Sequence, residues 1–409
     1  MPVAIDLAVL QRTVNVVARH AGNQTHAAKD LGIVQATVNQ RMVKARRLGL
    51  KPDASTEDPN NIAHVKQQLK RVQTELAAAQ SKALDEETIK RKIVGLKEGA
   101  ERAEIPAWVV TPRGPDSAPG VPVLFVSDLH WGEVVHPGQI NGVNRYNLEI
   151  AHQRIDRLAS TAVHLLEIIS PKMDYPGIVM PLGGDMISGN IHDELSASNE
   201  LNTMPTVLDL FGKLTGLIKF MADKFGKVFL PCVTGNHGRD TTKIWAKDRH
   251  HTSFDWLLYV FLAKHFEADK RVQFLIPDGP DAYFRVYNHR YLLSHGDQFR
   301  GGDGMIGALG PIIRGDHKKR SRNAQIDMEF DTMIMGHWHQ YIHHSRVVVN
   351  GSLKGYDEYA YNNNFGFEPP QQALWLTHPK YGITYRMPVY VGKAREPAAA
   401  KTNWVSVPR

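Results

Sequence analysis

Four apolar, β-branched runs in this chain each end on a polar residue beside glycine: VPVLFVSD at 121–128, GIVMPLGGD at 177–185, KVFLPCVTGN at 227–236 and RYLLSHGD at 290–297. Such a run reads as a buried strand whose C-terminal end delivers a polar side chain into a loop. Between them, roughly 146–170, 204–225 and 252–268 carry Leu, Ile, Phe and Val at helical spacing. Strand and helix therefore alternate, which predicts a sheet that is largely parallel at its start. Sites in such sheets lie outside the carboxyl ends of the strands. The polar residues at the strand ends are thus expected to meet in one crevice.

Those residues come in five short bursts: SDLH at 127–130, GGD at 183–185, TGNH at 234–237, SHGD at 294–297 and GHWH at 336–339. Seven of them are candidate metal ligands, Asp128, His130, Asp185, Asn236, His295, His337 and His339. Oxygen and imidazole without thiolate favour Mn, Fe, Mg or Zn in five- or six-coordinate geometry over a closed structural zinc site. Two such ions sit typically ~3.5–4 Å apart and need a bridging carboxylate, for which Asp185 is the candidate. One Asp or His at a strand end more often caps a helix or satisfies a turn. It is the ordered set that points to a dinuclear centre and to phosphoester hydrolysis.

The series DxH, GD, GNH, H and GHxH, spread over 128–339, resembles the calcineurin-like metallophosphoesterase superfamily. That superfamily includes the Mre11/SbcD-like nucleases and the serine/threonine phosphatases. The resemblance implies a four-layer α/β/β/α sandwich, with Asp128, His130 and His339 on one metal, Asn236, His295 and His337 on the other, and Asp185 joining both. It implies two divalent cofactors, with Mn first and Fe, Zn or Mg as alternatives. It gives His237 the role of general acid or stabiliser of developing charge, without a covalent enzyme intermediate. The chain also departs from the pattern. GNH is followed by Gly238 and Arg239 where the family has Asp or Glu, with an acid only at Asp240, and GDMISGN lacks the second Asp, Arg and Gly of the phosphatases. The nuclease branch is therefore the nearer one. Arg239 is a candidate phosphate contact, and His192 a candidate for the histidine that follows GD in that branch.

The N-terminal segment carries most of the +7 formal charge: Arg12, Arg19, Lys29, Arg41, Lys44, Arg46, Arg47 and Lys51 stand against Asp6 and Asp30 within 1–51. Residues 24–50 read as two short helices about a turn at Leu31-Gly32-Ile33, resembling a helix-turn-helix with 34–47 as the recognition-type helix. Ala27, Ala28 and Leu31 are expected inside with Ile33, Val38 and Met42 or Val43. Asn39, Gln40 and Arg41 suit base edges, and Lys44, Arg46 and Arg47 suit phosphates. A small basic bundle used for assembly is the alternative.

The expected domains are the basic head at 1–51, a linker and coiled-coil-type helix at 52–104, a Pro/Gly linker at 105–120, the catalytic domain at 121–392 and a tail at 393–409. Ile62, Val65, Leu69, Val72, Leu76 and Ala79 form a seam that suggests a homodimer through 62–104. After GHWH, 346–353, 372–378 and 383–391 read as strands of a second, more antiparallel sheet. Lys318, Lys319, Arg320 and Arg322 are candidates for lining the crevice, and Trp131 and Phe299 for stacking on a base. The one cysteine, Cys232, fits a reducing compartment. The absence of a membrane-length apolar run and of a secretory leader suggests a cytoplasmic protein.

Three functions fit these features. The leading one is a metal-dependent phosphodiesterase acting on nucleic acid, DNA first. The others are a phosphomonoesterase or small-nucleotide phosphodiesterase whose head serves assembly, and a DNA-binding regulator with an inactive phosphoesterase domain.

Overall fold

The computed structural model describes residues 6–53, 105–111, 119–299, 307 and 309–392. The chain divides into two compact units, Met1–Lys92 and Ile93–Arg409. The expected coiled-coil seam at 62–104, the dimer assigned to it and the tail at 393–409 lie outside the described residues.

Among the described residues the first unit has three helices, α1 Leu7–Arg19, α2 Gln24–Leu31 and α3 Gln35–Arg47. Asn23 caps α2 by accepting from Thr25 N and His26 N, and Gly32 closes it in the left-handed region at φ 64°. Val16, Val17, Ala27, Ala28 and Val38 pack with Leu31, Ile33 and Met42. Of the two alternatives at the end of that core, Met42 points in and Val43 out. α1 is an element that the helix-turn-helix pattern leaves out, yet its Leu10 and Val14 close a second small cluster with Ala45. The head also runs past residue 51, because Asp53 binds Asn15 on α1 through side chain and backbone. On α3, Asn39, Gln40, Lys44, Arg46 and Arg47 are exposed, and Arg41 is half-buried.

The second unit is a mixed α/β sandwich of two sheets. The strands are β1 Val121–Leu124, β2 Ile178–Val179, β3 Val228–Pro231, β4 Val272–Leu275, β5 Asp281–Val286, β6 His289–Ser294, β7 Thr332–Met335, β8 Ile342–His343, β9 Val347–Val349, β10 Gln371–His378 and β11 Gly382–Tyr390. One sheet has the order β11-β10-β1-β2-β3-β4 and the other β5-β6-β7-β9-β8. β1 to β4 run parallel, as expected from the strand and helix alternation.

Strand periodicity builds the layers. Along β1 and just beyond it, Val121, Val123 and Phe125 face the second sheet, where they meet Phe284, Tyr291, Leu293, Ile334 and Val348. Their neighbours Leu124 and Val126 face the helices Leu148–Ile169 and Thr203–Phe225. In the second sheet the in-between residues Leu292, Met333, Met335, Val347 and Val349 pack on the helix Leu309–Ala324 through Ile312. Helix, sheet, sheet and helix follow one another, and the central strands β1, β2, β3 and β7, covered on both faces, are buried along their whole length.

Two expectations need correction. β10 and β11 do not extend the second sheet; they add to the first, with Val123 opposite Trp375 in an antiparallel pair. β10 is buried along nearly its whole length, and such a strand carries no local mark of its partner. The stretch 105–111 is also not a simple linker. Val109 is buried between the sheets, and its carbonyl accepts from Tyr287 N at 2.8 Å. Turn formers after 111 mark the boundary in the sequence, whereas the apolar anchor before them has no such mark. No helix among the described residues is long and apolar enough to cross a membrane.

Candidate metal centre

Five strand ends reach the same place. Asp128 follows β1, Asp185 follows β2, Asn236 and His237 follow β3, His295 follows β6, and His337 and His339 follow β7. Five of the seven candidate ligands lie in the left-handed region: Asp128 (φ 53°), His130 (48°), Asp185 (51°), His337 (69°) and His339 (53°). Non-glycine residues avoid that region, and each such residue costs roughly 1 kcal/mol or more. Strain concentrated on these turns is the kind that persists where the surrounding structure over-determines the loop conformation.

All seven candidate ligands come together. Asp128, His130 and His339 form one group, Asp185, His295 and His337 a second, and His130, Asp185 and His237 a third; within each, ligand atoms lie within 4.8 Å of one another. His130 Nε2 is 2.9 Å from His339 Nε2, and His339 Nε2 is 3.5 Å from Asp128 Oδ1. His295 Nε2 lies 3.0 Å from Asp185 Oδ2 and 3.1 Å from Asn236 Oδ1. Asp185 therefore stands between the groups, as a bridging carboxylate must. Asp128 Oδ1 also accepts His337 N at 2.8 Å, and Asp185 Oδ1 accepts His237 N at 2.7 Å, so each carboxylate orients a neighbouring ligand loop. Gly235 has no room for a side chain, because a Cβ there would collide with Asp185 Oδ1.

The donor set fits a pair of cations. Two imidazoles and a carboxylate converge at one end, and two imidazoles, an amide oxygen and a shared carboxylate at the other, with no thiol. Electrostatics agree. Burial, then the charge of Lys354, lowers His130 to about 4, and burial, then His295, lowers His337 to about 4, leaving both neutral as metal ligation requires. His295 is the exception: burial opposes its charge, but the Asp185 carboxylate holds it up at about 10. Asp185 in turn sits well below the carboxylate range: burial pushes it up, but His295, His237 and His130 together pull it further down.

A supporting shell surrounds the ligands. His295 Nδ1 is 2.8 Å from the Gly183 carbonyl, which leaves Nε2 for the centre. Glu133 Oε2 lies 3.4 Å from His130 Nδ1 and accepts from Ser188 Oγ at 3.2 Å, while its Oε1 binds the buried Lys354 at 2.7 Å. Asp255, near the start of the helix Phe254–His265, accepts from Asp185 N at 3.0 Å, Met186 N at 3.2 Å and Gly235 N at 2.9 Å. Burial, then the Asp185 charge, raises Asp255 to about 6. Arg249 pairs with the buried Asp297 at 2.8 Å. Glu133, Lys354, Asp255 and Arg249 belong to none of the five bursts, so sequence reading gives them no role. Only Glu133, three residues after His130, stands close enough to a motif to be noticed.

His237 binds the Ser188 carbonyl through Nδ1 at 3.0 Å, and its ring is 4.6 Å from that of His130. Burial lowers its basicity. The His192 ring is 6.3 Å from that of His237, so the structure does bring His192 beside the site, although it is exposed. Arg239 is spent on its own loop: its guanidinium donates to the carbonyls of Asn236 at 2.7 Å, Thr241 at 3.0 Å and Thr242 at 3.3 Å. The carboxylate of Asp255 ties the GNH loop to the GD loop. Lys319 and Arg322 bind Asp281, and Arg320 binds Asp316 and the Phe330 carbonyl, so three of the four cations expected to line the crevice have internal partners. Trp131 is fully buried and Phe299 packs with the second sheet's outer cluster, so both serve packing. A separate group, His250, His251 and Asp278, has its ligand atoms within the same 4.8 Å limit.

No family model matches the chain, and no curated protein matches it. Solved structures do. A Vps29 single mutant from Entamoeba histolytica is 12% identical with a TM-score of 0.26, over 66% of this chain and 99% of that one. Vacuolar Protein Sorting 29 from Cryptosporidium parvum is 11% identical with a TM-score of 0.26, over 63% and 86%. A conserved uncharacterized protein from Streptococcus pneumoniae, described as a predicted phosphoesterase, is 10% identical with a TM-score of 0.24, over 66% and 97%. At those values the functional argument rests on the side chains of this chain.

Proposed function

We propose that the protein is a metal-dependent phosphodiesterase of the calcineurin-like type, with DNA as its substrate and two divalent ions, manganese first, as cofactors. One observation carries the reading: seven oxygen and imidazole donors from five strand ends converge, with the Asp185 carboxylate shared between two groups. Asp128, His130, His339 and Asp185 would hold one ion, and Asp185, Asn236, His295 and His337 the other. Such a pair, when bound, supplies a hydroxide at neutral pH and neutralises phosphoryl oxygens.

The chain's own residues supply the rest. Because His237 Nδ1 is engaged by the Ser188 carbonyl, Nε2 is the nitrogen left for substrate. Burial favours the neutral ring, and a phosphate anion beside it works in the opposite direction, so substrate itself would promote the protonated form that donates to the leaving oxygen. His192 would act beside it. Asp255 and Glu133 hold the ligand loops still, which keeps the donors in place without reorganisation.

The basic head supports DNA over a small ester. α2, the turn and α3 follow the order of a helix-turn-helix, and α3 exposes Asn39, Gln40, Lys44, Arg46 and Arg47. The test offers the protein with Mn²⁺ a chromogenic phosphodiester, a chromogenic monoester, and labelled single- and double-stranded DNA. Turnover of diester and DNA, lost in His237→Ala, is the expected result. Monoester turnover alone, or DNA binding without any turnover, would refute it.

A further inference from the structure

Next to the candidate centre lies a run of aromatic side chains left in the open. Tyr359 is 68% exposed, Phe367 52%, Phe365 50% and Tyr361 39%. They stand together: ring centroids are 5.9 Å apart for Tyr359 and Phe365, 5.5 Å for Tyr356 and Phe367, and 6.5 Å for Tyr356 and Tyr361. Several large rings kept in water on one short segment are an interaction surface rather than scattered exposure.

The segment is tied to the loop that carries Asp128 and His130. Asp357 caps the helix Glu358–Asn362 by accepting from Ala360 N at 2.8 Å, and it pairs with Lys354. The same Lys354 binds Glu133, which faces His130. Glu358 accepts from His136 N at 2.6 Å, and Asn141 donates to the Tyr361 hydroxyl at 2.8 Å. The helix that carries Tyr359 and Tyr361 is thus held, through Glu358 and the Tyr361 hydroxyl, against the stretch that follows the first ligand burst.

Composition selects the occupant. From 355 to 379 there is no lysine or arginine, so the surface is not built for phosphates. Its acids are engaged: Asp357 by Lys354, Glu358 by His136 N and Glu368 by Gln371. What it offers is flat apolar faces and the exposed amides of Asn362 and Asn364, while the Asn363 amide donates to the Tyr359 carbonyl at 2.8 Å. That combination matches a nucleobase, which has a π-face and polar edges. In a duplex both faces of each base are already stacked, so only unpaired bases can use it.

We propose that Tyr359 and Phe365, together with Tyr356 and Phe367, form a stacking platform for unpaired bases of a single strand whose backbone passes the metal centre. The inference rests on the phosphodiesterase reading and narrows its substrate to single-stranded nucleic acid.

The full chain, with metal removed by chelation so that nothing is cleaved, is titrated with labelled oligothymidylate and with an abasic strand of the same length and charge. The platform predicts tighter binding of the thymidylate by about 10-fold or more. Tyr359→Leu with Phe365→Leu, which keeps apolar bulk and removes the flat faces, should erase most of that preference and leave abasic affinity unchanged. Tyr359→Phe should retain it. Equal affinity of the wild type for the two strands overturns the platform, as does a preference untouched by the leucine pair. A change in molar mass of the leucine pair by light scattering, with base preference intact, would make the surface a contact between copies and also overturns it. Hydrolysis of a chromogenic diester with Mn²⁺ is measured separately on the wild type. Base preference without turnover retires the phosphodiesterase reading alone, and turnover without base preference retires the platform alone.

Discussion

A Cβ on Gly238 would stand 2.8 Å from Oδ1 of Asp255, the carboxylate that accepts the backbone N–H groups of Asp185, Met186 and Gly235. The glycine that departs from the resemblance is therefore the space into which a carboxylate from another helix reaches. Gly238→Ala should displace Asp255 and destabilise the protein by about 1–3 kcal/mol, as overpacking does. Asp255→Ala should cost about 3 kcal/mol by leaving buried N–H groups unpaired. In the Asp255→Ala background the alanine at 238 should cost almost nothing further, a coupling that urea unfolding of the four proteins measures. Additive effects would show that the two residues do not act together.

Metal content follows the two groups. By plasma mass spectrometry after loading with Mn²⁺ and desalting, His339→Ala and His295→Ala should each lose about one ion relative to the wild type, and Asp185→Ala should lose both. Because His295 is held charged up to about 10 by Asp185, an ion must displace its proton. Affinity should rise with pH, and calorimetry in buffers of different ionisation enthalpy should show release of about one proton. Binding with no proton release would contradict the assignment of His295.

Acid stability has a contributor outside the candidate ligand set. Burial, then the charge of Arg386, lowers His343 to about 4, and its ring lies edge-on to Trp375 at 6.0 Å. Its folded pKa is below the unfolded value, so the neutral form is the one the fold favours. Above about 6.5 both states are neutral and stability is unaffected; as pH falls from there to about 4 only the unfolded state takes the proton, and stability declines by at most about 3 kcal/mol. His343→Phe keeps the ring and removes the titration, so the wild type should become less stable relative to this variant between pH 7 and pH 4, read as the change in urea midpoint. A constant difference across that range would count against the buried neutral histidine.

The head makes an electrostatic prediction. Replacing Lys44, Arg46 and Arg47 with alanine should weaken binding to duplex DNA and reduce the slope of log affinity against log salt by about 0.9 for each phosphate that the variant no longer neutralises. Fluorescence anisotropy at several salt concentrations reads this. An unchanged slope would remove these residues from the interface.

Much of this is legible without coordinates, for a physical reason. The helices expected at roughly 146–170 and 204–225 are found at Leu148–Ile169 and Thr203–Phe225, because a helix writes its buried face into its own periodicity. The candidate ligands are legible because each sits where an apolar strand stops, and their order along the chain carries over directly to the strand ends. Glu133 and Asp255 are not legible, since what makes them matter is a neighbour supplied by a distant segment: Lys354 for one, the turns at Asp185 and Gly235 for the other.

By itself, then, the amino-acid order determined the alternation of strand and helix, the parallel start of the first sheet, and the strand ends at which the candidate ligands stand. All of these depend on residues close together in the chain. Only the tertiary structure decided that β10 and β11 join the first sheet and that Asp255 fills the room left by Gly238. Those outcomes depend on which surfaces meet across long sequence separations, and neither strand pairing nor the partner of a buried charge has a local signature.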